Sequence, residues 1–265
     1  MDSETTVEGL FESAHEDEVL SQTSLGILTN FDIGQEVQNA MGIDIDDVDA
    51  VETVLIGGLI DDSGSINMNG NASVVREGLN MVTDAVTASA NKEGVLMHVK
   101  YLNGTVLYPF CKIENIIKLD GNNYDPRGGT PLYDKCVSFL GTILAKAQEF
   151  ADAAVPSRTI SLIITDGADI HSTENTAADV KSIVEDMLRQ ENHIVAAMGI
   201  EDGYTDFKQV FSDMGIPDDW ILTPGNDPSE IRAAFNIFSQ ASQSAASGGA
   251  AFSTTSSAGL GGFGN

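Results

Sequence analysis

Three short segments of the chain carry oxygen-bearing side chains that could bind a hard metal ion. The first is Asp61-x-Ser63-x-Ser65, which directly follows the apolar run 53–60. A run of this length and composition predicts a strand, because it is too short for a helix. Ligands of open α/β sheets bind outside the carboxyl ends of strands. The segment therefore predicts a carboxylate and two hydroxyls at a ligand-binding edge.

The other two segments have the same character. Thr130 follows Gly128 and Gly129, and Asp166 follows the apolar run 158–165. Together with the first segment they supply two carboxylates and three hydroxyls. Such oxygen ligands suit Mg²⁺, or Mn²⁺ or Ca²⁺, better than Zn²⁺, and they leave room for waters or one outside ligand. The three loops converge if the strands before Asp61 and Asp166 are neighbours.

Each segment taken alone has an ordinary structural explanation. Asp, Ser and Gly are common turn residues, and Asp166-Gly167 is typical of a turn. Thr130 has the position of a helix N-cap, and Pro131 that of a first helical residue. His171 is close enough in sequence to lie at the rim of the site, but a surface-loop histidine is the better interpretation. The combination of all three segments at strand ends favours a metal site.

The elements that must position these segments alternate between strands and helices. We predict strands at 53–60, 95–102, 105–113, 158–165, 193–200 and 219–223, and helices at 71–90, 131–150, 175–191, 204–214 and 228–245. Asn103-Gly104 is a strong hairpin signal, so the third strand should return antiparallel. The pattern predicts the α/β class, with a doubly wound, mostly parallel six-stranded sheet, one antiparallel edge strand and helices on both faces.

Acidic and low-complexity segments predict further regions at both ends. Residues 1–50 contain 13 acidic residues and no Lys or Arg. We predict a disordered acidic arm at 1–20, a segment docked on the main domain at 20–43, the main domain at 51–240, and a flexible Ser-, Gly- and Ala-rich tail at 241–265. On this interpretation a chain cut to residues 21–245 should melt as the full chain does.

The overall charge restricts the partners. The 265 residues include 40 Asp and Glu against 13 Lys and Arg, for a net charge of -27. Such a surface repels nucleic acid and anionic lipid, and it attracts cations and basic protein patches. We expect no secretory signal and no membrane span, since neither the signal pattern nor an apolar run of spanning length occurs in these residues. Cys111 and Cys136 form no metal pattern, so we expect reduced thiols in a cytoplasmic protein.

The three segments together resemble the von Willebrand factor A (vWA) domain and its metal-ion-dependent adhesion site (MIDAS). The resemblance covers roughly residues 51–240 and all five metal-site positions, namely Asp61, Ser63, Ser65, Thr130 and Asp166. It implies a Rossmann-like vWA fold in which the hydroxyls contact Mg²⁺, or Mn²⁺ or Ca²⁺, or its waters. The aspartates would hold the metal directly or through water. An acidic side chain of a partner protein would complete the shell.

Some features set this chain apart from the family pattern. Ile66 stands where many relatives have Met, residues 67–71 look like a small insertion, and Asp62 adds a carboxylate beside the site. The Gly-Gly-Thr-Pro-Leu loop and the Ser-rich end are similar to those of intracellular bacterial members associated with tellurium resistance. This likeness implies a stress-response complex or an AAA+ ATPase as the partner.

The sequence favours a protein-interaction module over an enzyme. It contains no Gly-x-Ser-x-Gly elbow and no Gly-x-x-x-x-Gly-Lys phosphate loop. A phosphatase of the aspartyl-phosphate type would have a second Asp where this chain has Ser63. The alternative function is a metal-dependent phosphohydrolase that uses Asp61 and Asp166.

Overall fold

A six-stranded mixed sheet forms the centre of the protein, whose computed structural model describes residues 6–88 and 92–246. The strands are β1 (Thr53–Ile60), β2 (Val95–Tyr101), β3 (Val106–Lys112), β4 (Ser157–Thr165), β5 (His193–Gly199) and β6 (Ile221–Leu222). Their order is β3-β2-β1-β4-β5-β6, and the β2–β3 pair is antiparallel while the other pairs are parallel. The predicted fold class is confirmed.

Helices cover both faces of the sheet. They are α1 (Val7–Glu16), α2 (Gln22–Leu28), α3 (Phe31–Ala40), α4 (Gly64–Met68), α5 (Ala72–Thr87), α6 (Leu132–Asp152), α7 (Ala177–Arg189), α8 (Phe207–Asp213) and α9 (Pro228–Ala246). One apolar core joins the sheet to α1–α3 and α6–α8, and a second joins it to α5 and α9. Within the described ranges, no helix is long and apolar enough to cross a membrane.

The central strand β1 contributes to both cores. Leu55 and Leu59 belong to one core, and Ile56 and Ile60 belong to the other. A strand buried on both faces is continuously apolar, which is why its sequence shows no polar alternation. Gly57 lets α6 approach closely, since a Cβ atom there would lie 2.5 Å from the side chain of Ile143. The polar residues that follow β1 are therefore fixed to a rigid base.

The amino-terminal segment is an ordered part of the fold, so the prediction of a disordered arm is wrong for residues 6–20. Val7, Leu10, Phe11 and Ala14 of α1 are at most 5% exposed, and α1 packs on α6. Their spacing is that of an amphipathic helix. The acidic residues between them occupy the outer face of the helix. Because they are numerous, the helical spacing of the apolar residues was missed in the sequence. Residues 1–5 lie outside the described residues.

The next segment packs on the same face. Helix α2 contacts α7, and α3 contacts α6 and β3. The backbone N–H and hydroxyl of Ser21 donate to Asp186 Oδ2 at 2.8 and 2.7 Å. Lys146 of α6 donates to the carbonyl of Ile43. Helices α1–α3 therefore form an additional layer over α6 and α7.

The carboxyl-terminal boundary also differs from the prediction. Helix α9 continues to Ala246, and Ala241 and Ser242 are buried. Residues 241–246 are therefore helical and are not part of a flexible tail. Ser and Ala are compatible with a helix when one face packs, as this one does on α5. The remainder of the predicted tail, 247–265, lies outside the described residues.

A partly buried ion-pair cluster joins α3 to the sheet. Glu36 accepts hydrogen bonds from Lys100 at 2.9 Å and from Lys135 at 2.5 Å, and the Lys100 side chain is completely buried. Burial alone would raise the pKa of Glu36, but attraction from Lys100 and hydrogen bonds from both lysines lower it to about 2. Through Glu36, helix α3 thus supplies the counter-charge of the buried Lys100.

We expect Phe11→Ala to lower the free energy of unfolding by about 3 kcal/mol, because it leaves a cavity between α1 and α6. Urea denaturation of the full chain measures the change. Glu12→Ala, on the exposed face of the same helix, is the control and should change little. Equal, small effects of both changes would mean that α1 does not contribute to the packed fold.

We expect Glu36→Gln to cost on the order of 2 kcal/mol at neutral pH, since it leaves the Lys100 charge buried without a counter-ion. The folded-state pKa of Glu36 lies below its usual 4.5. The difference from the parent chain should therefore be complete above pH 4.5 and disappear as the pH falls toward 2. Asp84→Asn, which breaks an exposed pair with Lys118, should have little effect. A pH-independent difference would contradict this assignment.

Candidate metal site

Four of the five predicted site residues meet at the carboxyl ends of β1 and β4. These strands are neighbours, as the convergence of their loops requires. The hydroxyls of Ser63 and Ser65 are 2.9 Å apart, and Ser65 donates to Asp166 Oδ1 at 2.6 Å. Asp61 lies beneath them. The result is a continuous line of two hydroxyls and one carboxylate along the sheet edge.

Asp61 connects the loops that follow β1 and β4. Its side chain is fully buried, and its Oδ1 accepts the backbone N–H of Ser63 at 2.7 Å. Its Oδ2 accepts the hydroxyl of Thr165 at 2.6 Å and the N–H of Asp166 at 3.4 Å. The hydroxyl of Tyr124 donates to the Asp61 carbonyl at 2.5 Å. Because both of its carboxylate oxygens accept hydrogen bonds, Asp61 acts as a brace that holds the loop after β1 and the loop after β4 together.

Thr130 is buried and is held through its backbone. Its N–H donates to His171 Nδ1 at 2.9 Å, and its carbonyl accepts the N–H groups of Ile170 and His171 at 3.1 and 3.3 Å. Helix α6 begins at Leu132 with Pro131 as its N-cap. The predictions of Thr130 as N-cap and Pro131 as first helical residue are therefore each wrong by one position.

Gly128 attaches the Thr130 loop to the loop after β1. Its N–H donates to the carbonyl of Asp62 at 2.8 Å, and its carbonyl accepts the N–H of Gly64 at 3.1 Å. This pairing forms a parallel bridge between Ser63 and Gly128. The Thr130 loop is thus connected to the loops that carry the other four residues.

His171 is exposed, as a surface-loop residue should be, yet its ring contacts the site. Because Nδ1 accepts a hydrogen bond from Thr130, the neutral ring carries its proton on Nε2. A Cβ atom on Gly129 would lie 2.8 Å from Nδ1. Glycine at 129 is therefore what allows the ring to approach Thr130.

Sequence reasoning missed the role of Asn69 and placed Asp62 beside the site without predicting its contact. Asn69 Nδ2 donates to Asp166 Oδ2 at 3.2 Å, so both oxygens of Asp166 accept hydrogen bonds. Asp62 Oδ1 accepts the N–H of Asn103 in the β2–β3 turn at 3.0 Å. The only signals were the extra residues at 67–71 and the extra carboxylate at Asp62, and neither shows which atoms they contact.

The carboxylates crowd together without cations. Burial raises the pKa of Asp61. It also raises the pKa values of Asp62 and Asp166 to about 6, with the charge of Asp61 adding to both shifts. Across residues 6–88 and 92–246, no Lys or Arg forms an ion pair with any of the three. A bound cation would relieve this accumulation of negative charge.

The available donors suit a hard divalent cation. Ser63, Ser65 and Asp166 present oxygen atoms, which Mg²⁺, Mn²⁺ and Ca²⁺ prefer. In the part of the chain that the structure describes, no group of three His, Cys, Asp or Glu side chains is arranged to hold a metal. The hydroxyls are therefore essential to any metal site here, and a site made mainly of neutral donors should bind its ion weakly.

Comparison with solved structures supports the fold. The pilus adhesin SpaC of Lactobacillus rhamnosus GG, in its open conformation, matches with a TM-score of 0.52 and 16% identity, over 72% of this chain and 30% of that chain. This protein thus spans about a third of the adhesin's length. At this identity the likeness shows a shared fold alone. No protein-family model matches the chain, and no curated protein matches it.

Weaker matches include one protein named for the family that the motif resembles and one described with that family's metal-site motif. A von Willebrand factor type A protein from Catenulispora acidiphila has a TM-score of 0.47 and 19% identity, over 72% of this chain and 43% of that chain. Proximal thread matrix protein 1 from the mussel byssus, with a zinc-occupied MIDAS motif, has a TM-score of 0.44 and 14% identity, over 74% and 47%. These two likenesses are too low to carry an argument.

We expect Gly129→Ala to displace the His171 ring and to cost about 1 kcal/mol, the value of the lost bond to Thr130. Gly167→Ala is the matched control, because a Cβ atom there meets nothing within 4 Å. Denaturant unfolding of both variants measures the difference.

A double-mutant cycle isolates the cause of this effect. In a His171→Ala background the cost of Gly129→Ala should disappear, because the ring that the new methyl group displaces is absent. If the two costs add instead, the glycine serves the backbone and not the ring.

Proposed function

We propose that the protein is a metal-dependent protein-interaction module whose partner supplies a carboxylate to a divalent cation. The observation that carries this proposal is the cluster of Asp61, Asp62 and Asp166, which lacks a paired cation among the described residues and lies beside two aligned serine hydroxyls. A cation held there would attract an outside anion to a site that otherwise repels one. The match to the MIDAS pattern in the sequence points to the same chemistry.

The residues divide into two roles in this proposal. Ser63, Ser65 and Asp166 would hold the ion or its waters, joined by the Thr130 hydroxyl when a partner binds, and Asp61 would keep the serine and aspartate loops in register through its buried hydrogen bonds. Mg²⁺ is the expected ion, with Mn²⁺ or Ca²⁺ as substitutes, and a bound ion supplies a Lewis-acid centre for the partner's carboxylate. The hydrogen bonds from Asn69 and Ser65 orient Asp166 for this task.

The resemblance to intracellular family members suggests which partners to test first. AAA+ ATPases and proteins of stress-response complexes, including those of tellurium resistance, are the partner classes that it implies. A cytoplasmic location agrees with the free thiols of Cys111 and Cys136. The net charge of -27 favours a partner whose metal-binding carboxylate lies on an otherwise neutral or basic surface.

The alternative, a phosphohydrolase that uses Asp61 and Asp166, is less well supported. A nucleophilic Asp61 would need an exposed oxygen, but its carboxylate is fully buried and both oxygens accept hydrogen bonds. The interaction module needs no such exposure of Asp61.

We expect Thr130→Ala to leave folding and basal metal binding nearly intact but to weaken capture of the partner. The reason is that a carboxylate from the partner would neutralise part of the positive charge of a bound ion, which would favour the neutral hydroxyl of Thr130 as a further ligand. Thr130→Ser keeps the hydroxyl and should restore capture. Ser63→Ala with Ser65→Ala should remove both metal binding and capture. Calorimetric titration with Mn²⁺, and capture from cell extract with Mg²⁺ or EDTA, measure the two properties.

Two results would contradict this assignment. One is tight metal binding that survives Asp166→Ala. The other is Mg²⁺-dependent turnover of p-nitrophenyl phosphate that Asp61→Asn abolishes, which would establish the enzyme. If Thr130→Ala leaves capture of the partner intact, this result would show only that the hydroxyl of Thr130 is not used as proposed. Thermal melts of each variant control for loss of folding.

A further inference from the structure

Three large apolar side chains stand exposed at the sheet edge that carries the candidate metal site. The described residues include five exposed large hydrophobic side chains, and Met68, Ile170 and Tyr204 are 88%, 73% and 97% exposed. Each follows a different parallel strand, β1, β4 or β5. Single exposed apolar residues are ordinary, but three on neighbouring loops of one edge suggest an interaction surface.

Met68 lies beside the Asp166 side of the site. It is the last residue of α4, the short helix that begins directly after Ser63. The next residue, Asn69, donates a hydrogen bond to Asp166 Oδ2 at 3.2 Å. Met68 is therefore one residue away from a direct contact with the candidate metal ligands.

Ile170 lies beside Thr130. Its backbone N–H donates to the carbonyl of Thr130 at 3.1 Å. The two residues on either side of this bond face different environments, since Thr130 is buried and Ile170 is exposed. Ile170 is thus held at the outer margin of the loop that carries the third predicted hydroxyl.

Tyr204 lies on the loop after β5, and that loop is held in place. The N–H groups of Tyr204 and Thr205 donate to Asp202 Oδ1 at 2.8 and 2.7 Å, and the Thr205 hydroxyl donates to Asp202 Oδ2 at 2.7 Å. The loop begins beside the site, because the N–H of its residue Ile200 donates to the carbonyl of Thr165, the residue before Asp166, at 2.9 Å. Tyr204 therefore lies on the same margin as the other two.

We propose that this apolar rim, defined as Met68, Ile170 and Tyr204, binds a segment of another protein in which one Asp or Glu is flanked by large apolar side chains. The inference rests on the proposed function, because the acidic residue of the segment would bind the metal ion. Apolar neighbours of that residue would cover the rim and exclude water from the charged contact. Aromatic and large aliphatic contacts around a desolvated centre are typical of interfaces with concentrated binding energy.

Charge complementarity predicts which residues of the partner segment lie outside its apolar residues. Exposed Glu201 and Asp227 lie on the loops after β5 and β6, which are joined by the hydrogen bond from Glu201 N–H to the Pro224 carbonyl at 3.0 Å. A segment with Lys or Arg outside its apolar residues would complement them. A second copy of this chain would not, because it carries the same net charge of -27.

Selection of peptides on the full chain tests this inference. The probe is a phage-displayed library of random linear peptides, selected in Mn²⁺ and eluted with EDTA. We expect the recovered peptides to share one Asp or Glu with large apolar residues next to it and basic residues farther out. The triple variant Met68→Ser, Ile170→Ser, Tyr204→Ser should weaken binding of a recovered peptide about tenfold or more. Thermal melts should show that it folds, since all three side chains are exposed.

Val51→Ser is the matched control, because Val51 is 93% exposed and precedes β1 at the opposite edge of the sheet. It should leave peptide binding unchanged. Peptides that need an acid and metal but no apolar residue, or binding that the triple variant does not weaken, would overturn the inference and leave the proposed function standing. Apolar peptides that lack an acid, stay bound through the EDTA elution and are released only by a later acid wash would overturn the proposed function, and with it the inference. A selection that enriches no peptide would overturn the inference.

Discussion

The buried carboxylate of Asp61 is the contact on which the rest of the candidate site depends. Its two oxygens connect the loop after β1 to the loop after β4, through Ser63 on one side and Thr165 and Asp166 on the other. The side chain is cut off from water, so each of these hydrogen bonds is expensive to lose. Because the strands beneath are neighbours in a sheet buried on both faces, the brace has a rigid base.

The carboxylates of Asp61, Asp62 and Asp166 destabilise one another in the folded protein, and the same negative charge would favour a bound cation. Burial raises the pKa values of Asp61, Asp62 and Asp166, which means that the folded protein holds them in a setting that disfavours ionisation. Elsewhere the fold neutralises a buried charge from within, as Glu36 does for Lys100. The contrast suggests that the site is built for a charge supplied from outside, which is the basis of the proposed function.

Much of the architecture was predictable because the pattern is local. The apolar run of β1 predicts a buried strand, the Asn103-Gly104 pair predicts the hairpin, and the alternation of elements leaves few possible sheets. The N-terminal helices were harder, because α1 has an apolar period of only four residues within a strongly acidic stretch. The average composition of such a stretch does not reveal that its few apolar residues share one face of a helix. For this reason helix α1 was wrongly assigned to a disordered arm.

The sequence by itself determined which side chains lie at the ends of β1 and β4, since strand length and loop punctuation are properties of the local chain. Only the tertiary structure decided which atoms meet. It engages both oxygens of Asp61, brings Asn69 to Asp166, and brings the ring of His171 to Thr130. These contacts join segments far apart in the chain, and their geometry follows from the packing of the loops on one another, which no local pattern encodes.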